Sequence, residues 1–112
     1  MITDSFIREM KEIVGKENVS VSRANAELYS YDASLARGKP GVVVFPADSR
    51  EISRIARAAH RAGIPFVPRG FGTNLSGGTI VTVEGLVLCL SRLNRILGIY
   101  PAGRYAVVQP GV

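Results

Sequence analysis

The stretch from Val42 to Thr79 constrains the fold more than any other part of the chain. It opens with Val42-Val43-Val44-Phe45, a short continuous apolar run. Such a run suits a strand covered on both faces, as in a parallel sheet. Pro46 ends it. Asp48-Ser49-Arg50-Glu51 then has capping-box logic, with the Asp48 carboxylate accepting from the backbone near position 51 and Glu51 reaching back. Ile52, Ile55, Ala56, Ala59 and Ala62 fall on one helical face, and Arg50, Arg54, Arg57 and Arg61 on the opposite, solvated one. Gly63 is placed for the C-cap, and Pro65 prevents continuation. Pro65-Phe66-Val67-Pro68 reads as the next short strand. Strand, helix, strand is a βαβ unit, expected to cross over right-handed. Pro46 and Pro68 are then expected to end neighbouring strands at one sheet edge. Ligands of open α/β sheets sit beyond such carboxyl ends.

A glycine-rich loop leaves that edge: Pro68-Arg69-Gly70-Phe71-Gly72-Thr73-Asn74-Leu75-Ser76-Gly77-Gly78-Thr79. Glycines let backbone approach a ligand closely, and successive N–H groups in such turns hold anions. Thr73, Asn74 and Ser76 add side-chain donors, and Arg69 offers a planar, permanently charged fork suited to phosphate. The loop is not a P-loop, because no lysine follows the glycines. It starts like a dinucleotide fingerprint, but Leu75 stands at the last glycine position and no helix follows. Thr79-Ile80-Val81-Thr82-Val83 is β-branched and reads as strand. Composition alone leaves two readings open, a phosphate or pyrophosphate cradle and a glycine-rich surface loop between strands.

Elsewhere, Phe6, Ile7, Met10, Ile13 and Val14 recur at helical spacing, with Thr3 or Asp4 to cap the start and Gly15 to end it. Val19-Ser20-Val21 is a short extended piece, and Ser22 opens a brief helix through Leu28. A connector with Tyr29 and Tyr31 comes next, then a turn at Arg37-Gly38-Lys39-Pro40-Gly41. Thr79–Val83 and Leu86–Leu90 flank Glu84-Gly85, a two-residue turn candidate. After a corner at Ser91-Arg92-Leu93-Asn94, the segments Arg95–Tyr100 and Tyr105–Gln109 flank Pro101-Ala102-Gly103-Arg104, a hairpin signal. The architecture expected is α+β, a small parallel sheet with helices followed by mainly antiparallel strands, over residues 1–112 as one domain.

The 112 residues carry a net charge of +5, which favours anionic partners, and the 46% hydrophobic content is that of a globular chain. No run of Lys and Arg occurs and no aromatic residues interleave with basic ones, so nucleic acid is not the expected partner. His60 has no carboxylate or nucleophile positioned to work with it. Cys89, the one cysteine, lies within Leu86-Val87-Leu88-Cys89-Leu90 and reads as a buried small hydrophobe. No metal site is expected. The start lacks a basic and apolar leader and no stretch is long enough to span a membrane, so a cytoplasmic chain without a transmembrane segment is expected.

The segment Pro68 to Gly78 resembles the flavin-pyrophosphate loop of the FAD-linked oxidase superfamily, the flavoproteins that share the PCMH-type FAD domain of vanillyl-alcohol oxidase and p-cresol methylhydroxylase. Tyr31-Asp32-Ala33-Ser34 and Val44-Phe45-Pro46 resemble its glycolate oxidase and D-lactate dehydrogenase branch. The resemblance departs at Phe71, where the family has Gly, and at Asn74, where it has Ser. The reductase of cell-wall UDP-sugar synthesis shares the fold, and Tyr31-Asp32-Ala33-Ser34 argues against it. Thr73 stands where some relatives carry a flavin-linked histidine, so the resemblance implies non-covalent FAD. It implies cofactor contacts from Arg69, Gly70, Phe71, Gly72, Thr73, Asn74, Ser76, Gly77 and Gly78, with Pro46 and Gly111 as weaker candidates. It further implies the N-terminal part of a larger enzyme oxidising a small 2-hydroxy acid. Catalytic residues would lie in the remainder of that enzyme, and electron-transfer subunits would be partners. The alternative is a non-catalytic nucleotide-binding or assembly module.

Overall fold

The computed structural model describes residues 2–21, 40–70 and 84–112. The brief helix at Ser22, the tyrosine connector, the loop from Phe71 onward and the strand expected at Thr79–Val83 lie outside those residues.

Two helices agree closely with their sequence signals. Helix α1 spans Asp4–Val14; the Thr3 hydroxyl accepts from the Phe6 N–H at 3.1 Å, and Gly15 closes the helix at φ 91°. Its buried residues are Phe6, Met10, Ile13 and Val14. The Asn18 side-chain amide donates to the carbonyl of Val14 at 2.8 Å, satisfying one of the helix's last acceptors. Helix α2 spans Ser49–Ala62. Its N-cap Asp48 accepts from the Glu51 N–H at 2.8 Å, and the Glu51 carboxylate accepts from the Ala47 N–H at 2.6 Å. Gly63 ends it in the left-handed conformation, at φ 67°. The buried face is displaced from the expected one: Ile55, Ala58 and Ala59 are buried, Ile52 and Ala56 are half-buried, and Ala62 is exposed. The 3.6-residue period brings Ala58 to the same side as Ile55.

The main sheet has four strands: β1 (Val19–Ser20), β2 (Pro40–Val44), β3 (Phe66–Arg69) and β4 (Gly85–Cys89). Their order is β1-β2-β4-β3. β2, β4 and β3 run parallel and β1 pairs antiparallel on the β2 side. Two expectations do not hold. β2 and β3 are not neighbours, because β4 lies between them. Glu84-Gly85 is not a two-residue turn: Gly85 is the buried first residue of β4, paired with Pro40. All five β4 residues are buried, which is what the centre of a parallel sheet asks of a strand. Arg69, not Pro68, is the last residue of β3, and Pro68 lies within the strand as expected, opposite Leu88. It is tolerated because β3 is an edge strand, where a missing N–H costs no ladder bond on the open side.

The sheet's two faces separate the core by the strand's period of two. Val42, Val44, Leu86 and Leu88 pack with the buried residues of α1 and α2, and with Ile64, into the main cluster. Val43, Val87 and Cys89 form a second cluster with Phe45 and Val67. Cys89 is therefore a core residue, 2% exposed. Arg61 and Glu9 join the two helices through an ion pair at 2.6 Å, both side chains wet and the contribution small.

β5 (Ile96–Tyr100) and β6 (Tyr105–Val108) form a separate antiparallel hairpin, as the sequence suggests. A 3-10 turn at Pro101–Gly103 leads to Arg104, in the left-handed conformation at φ 57°. The Tyr100 and Tyr105 rings stack with centroids 4.8 Å apart. Ile96, Leu97, Ile99, Val107 and Val108 are all exposed. Among the described residues, no helix is long and apolar enough to cross a membrane.

Two substitutions test this account by urea denaturation. Ile55→Ala empties a site with no exposed area and should cost about 2–5 kcal/mol. Asp48→Ala removes the α2 cap and should cost about 1 kcal/mol.

Candidate functional site

Because β2, β4 and β3 are parallel, their carboxyl ends share one edge. Val44, Leu88 and Pro68 stand level across the sheet, and Arg69 is level with Cys89. The segments that leave the three strand ends are hydrogen-bonded into one corner. After β2, the Phe45 N–H donates to the carbonyl of Asn18 at 2.9 Å, while its own carbonyl accepts from the Arg92 guanidinium at 2.7 Å. Pro46 is fully buried behind it. After β3, the Arg69 carbonyl accepts from the Leu90 N–H at 2.8 Å. After β4, the chain turns sharply, with the Leu93 N–H donating to the Leu90 carbonyl at 3.0 Å.

The segment beyond β6 returns to this corner. The Gly111 N–H donates to the Leu93 carbonyl at 2.8 Å. A Cβ at Gly111 would overlap the Leu90 carbonyl oxygen and lie 2.8 Å from that of Leu93. Only glycine fits there, so Gly111 has a packing reason to be present whatever else it touches. Gly70 is the opposite case. It is exposed, and among the described residues the nearest atom to a Cβ built on it would be the Pro110 carbonyl oxygen at 4.0 Å. The backbone at Gly70 is thus open to a ligand's approach.

The structure places Pro46, Arg69, Gly70 and Gly111 at one edge. Phe71, Gly72, Thr73, Asn74, Ser76, Gly77 and Gly78 lie outside the described residues, which end here at Gly70. Arg69 differs from expectation in its environment: it is 7% exposed, a buried cation at the end of β3. Arg92, which sequence reasoning treated as part of a corner, is exposed and reaches across to the exit of β2. No local signal marks it, because its partner stands 47 residues earlier.

The first turn of α2 also lies at this edge, just after Pro46-Ala47. It is occupied by its own carboxylates, Asp48 on the Glu51 N–H and Glu51 on the Ala47 N–H. The free N–H groups and partial positive charge of a helix start are in part consumed there. Among the described residues, no group of His, Cys, Asp or Glu is placed to hold a metal ion. His60 lies away from this edge, beside a shallow depression of about 410 Å³ between the end of α2 and the start of β3.

A parallel sheet covered by two helices, with an antiparallel hairpin beyond it, is the α+β fold of PCMH-type FAD-binding domains. The chain belongs to the FAD binding domain family, whose model matches residues 40–112. It is 42% identical to the glycolate oxidase subunit GlcD of Bacillus subtilis (strain 168), over all of this chain and 24% of that protein. It is 32% identical to a probable mitochondrial D-lactate dehydrogenase of Danio rerio, over 97% of this chain and 22% of that protein. Among solved structures, p-cresol methylhydroxylase with substrate bound superposes with a TM-score of 0.85 at 22% identity, over 97% of this chain and 22% of that one. The 4-ethylphenol oxidase of Gulosibacter chungangensis superposes with a TM-score of 0.82 at 33% identity, over 96% and 22%. The chain thus spans about a quarter of the length of these relatives.

The two glycines at this edge should respond differently to a methyl group. Gly111→Ala drives backbone against backbone and should destabilise by about 1–3 kcal/mol or more. Gly70→Ala meets no clash among the described residues and no positive φ, and should change stability by less than about 1 kcal/mol. Thermal denaturation of the two variants side by side checks the contrast.

Proposed function

We propose that this chain is the part of a flavin-dependent oxidoreductase that grips the diphosphate of FAD, without a covalent link. In the complete protein, the substrate would be a small 2-hydroxy acid of the glycolate or D-lactate type. The observation that carries the reading is the convergence of three parallel strand ends at one edge, where the open backbone of Gly70 leads into the glycine loop. Backbone N–H groups of Gly70, Phe71, Gly72, Thr73 and Asn74 would supply most contacts, with Ser76, Gly77 and Gly78 adding to them. Gly111 and Pro46 would shape the edge rather than bond to the cofactor, since one is packed against backbone and the other is buried. Thr73 offers no nucleophilic ring nitrogen for attachment, which supports non-covalent binding.

The substrate class rests on similarity to the GlcD subunit and to D-lactate dehydrogenases. When bound, the flavin supplies the two-electron redox chemistry, and this chain's residues bind and orient it. No catalytic residue is assigned to this chain. The exposed apolar hairpin β5–β6 supports further partners, because a two-stranded ribbon with both faces wet is not stable alone. The remainder of the complete protein would cover it, and electron-transfer subunits would assemble on the whole.

Gly72→Val in the complete gene product tests the assignment. The purified variant should lose its bound flavin, read as flavin absorbance per protein, while its circular dichroism stays native. Flavin retained at the wild-type ratio would refute the pyrophosphate role of the loop and leave the non-catalytic module as the better reading.

A further inference from the structure

Anion binding at this edge needs positive charge, and the sequence points to Arg69 for it. The structure distributes charge differently. Arg69 is buried at the end of β3. The start of α2, beyond β2, carries two carboxylates, Asp48 on the Glu51 N–H and Glu51 on the Ala47 N–H. Arg92 is the exposed cation that reaches the edge, and among the described residues it has no carboxylate partner. One of its N–H groups is held by the Phe45 carbonyl at 2.7 Å. A guanidinium has five N–H donors in a fixed plane, so this bond orients the head group and leaves most donors unused. An orientation fixed in advance lowers the entropy lost on binding a phosphate.

We propose that Arg92, latched to the Phe45 carbonyl, is the cationic contact for the diphosphate of the bound cofactor at this edge. The proposal rests on the flavin reading above and adds a residue to it. Arg92 holds the exit of β2 with one N–H and presents charge to the ligand with the others. The loop's backbone N–H groups supply shape and dipoles, and Arg92 supplies net charge. The carboxyl edge therefore distinguishes ligands that carry phosphate from those that do not.

The test is titration of the flavin-free complete gene product with FAD and with riboflavin, which has the isoalloxazine ring but no phosphate. Arg92→Gln should lower the FAD-to-riboflavin affinity ratio about 10- to 100-fold, the worth of a hydrogen bond to a charged group. Arg50→Gln removes the same charge from the first turn of α2 and should leave the ratio unchanged. Equal losses for both ligands in Arg92→Gln would make Arg92 a structural latch only and overturn the proposal. So would an unchanged ratio, or the same change in both variants. A second measurement needs no variant: bound FAD should protect Arg92 from phenylglyoxal, mapped by mass spectrometry, and riboflavin should not. Absence of that protection overturns the proposal equally. Wild-type protein that binds neither compound would instead remove the flavin reading on which it rests.

Discussion

The insertion of β4 between β2 and β3 is the arrangement on which the rest depends. β4 is buried along its whole length and pairs in parallel on both sides. Parallel pairing aligns three carboxyl ends at one edge, and burial on both faces makes those ends the parts of the strands that can meet a ligand. Without β4 in the centre, Arg69 and Pro46 would have no common neighbour. With it, the Leu90 N–H closes on Arg69 and the turn after β4 brings Arg92 to Phe45.

The same edge shows how donors and charges are shared out. Asp48 and Glu51 cap the start of α2, which stabilises the helix and removes the Glu51 and Ala47 N–H groups from competition for an anion. Gly111 lets the returning chain lie against the Leu90–Leu93 corner, where any side chain would collide with backbone. At Gly70 no described residue would collide with a side chain. Two glycines near the same corner thus differ in surroundings, one packed against backbone and one without a close described neighbour.

The hairpin and the main sheet differ in how their apolar residues are used. In the sheet, alternate residues of β2 and β4 reach two clusters, and it is β3 that leaves apolar side chains such as Phe66 wet. In the hairpin, apolar side chains on both strands face water, and stacked Tyr100 and Tyr105 give only local order. The exposed apolar residues are Ile96, Leu97, Ile99, Val107 and Val108. Their exposure is consistent with a chain that spans about a quarter of the length of its relatives.

Much of the structure was legible from local chemistry. Thr3, Asp48, Gly15 and Gly63 bound their helices because caps act within one turn. The βαβ unit, the β5–β6 hairpin and the burial of Cys89 came from short-range pattern, and the glycine loop pointed to the family that the comparisons show. Strand order was not legible: Glu84-Gly85 has the composition of a turn, and only pairing with Pro40 makes Gly85 the first residue of a central strand. The environments of the two arginines were also hidden. Side-chain type says that Arg69 and Arg92 are cations. Burial of one and the latch of the other to a carbonyl 47 residues away arise from contacts between strands, which no local pattern encodes. The elements and the flavoprotein family could thus be read along the chain, because they depend on neighbouring residues and on a motif. Which strand is central and which charge stands at the edge were settled in three dimensions, because both depend on residues far apart in the chain meeting in space.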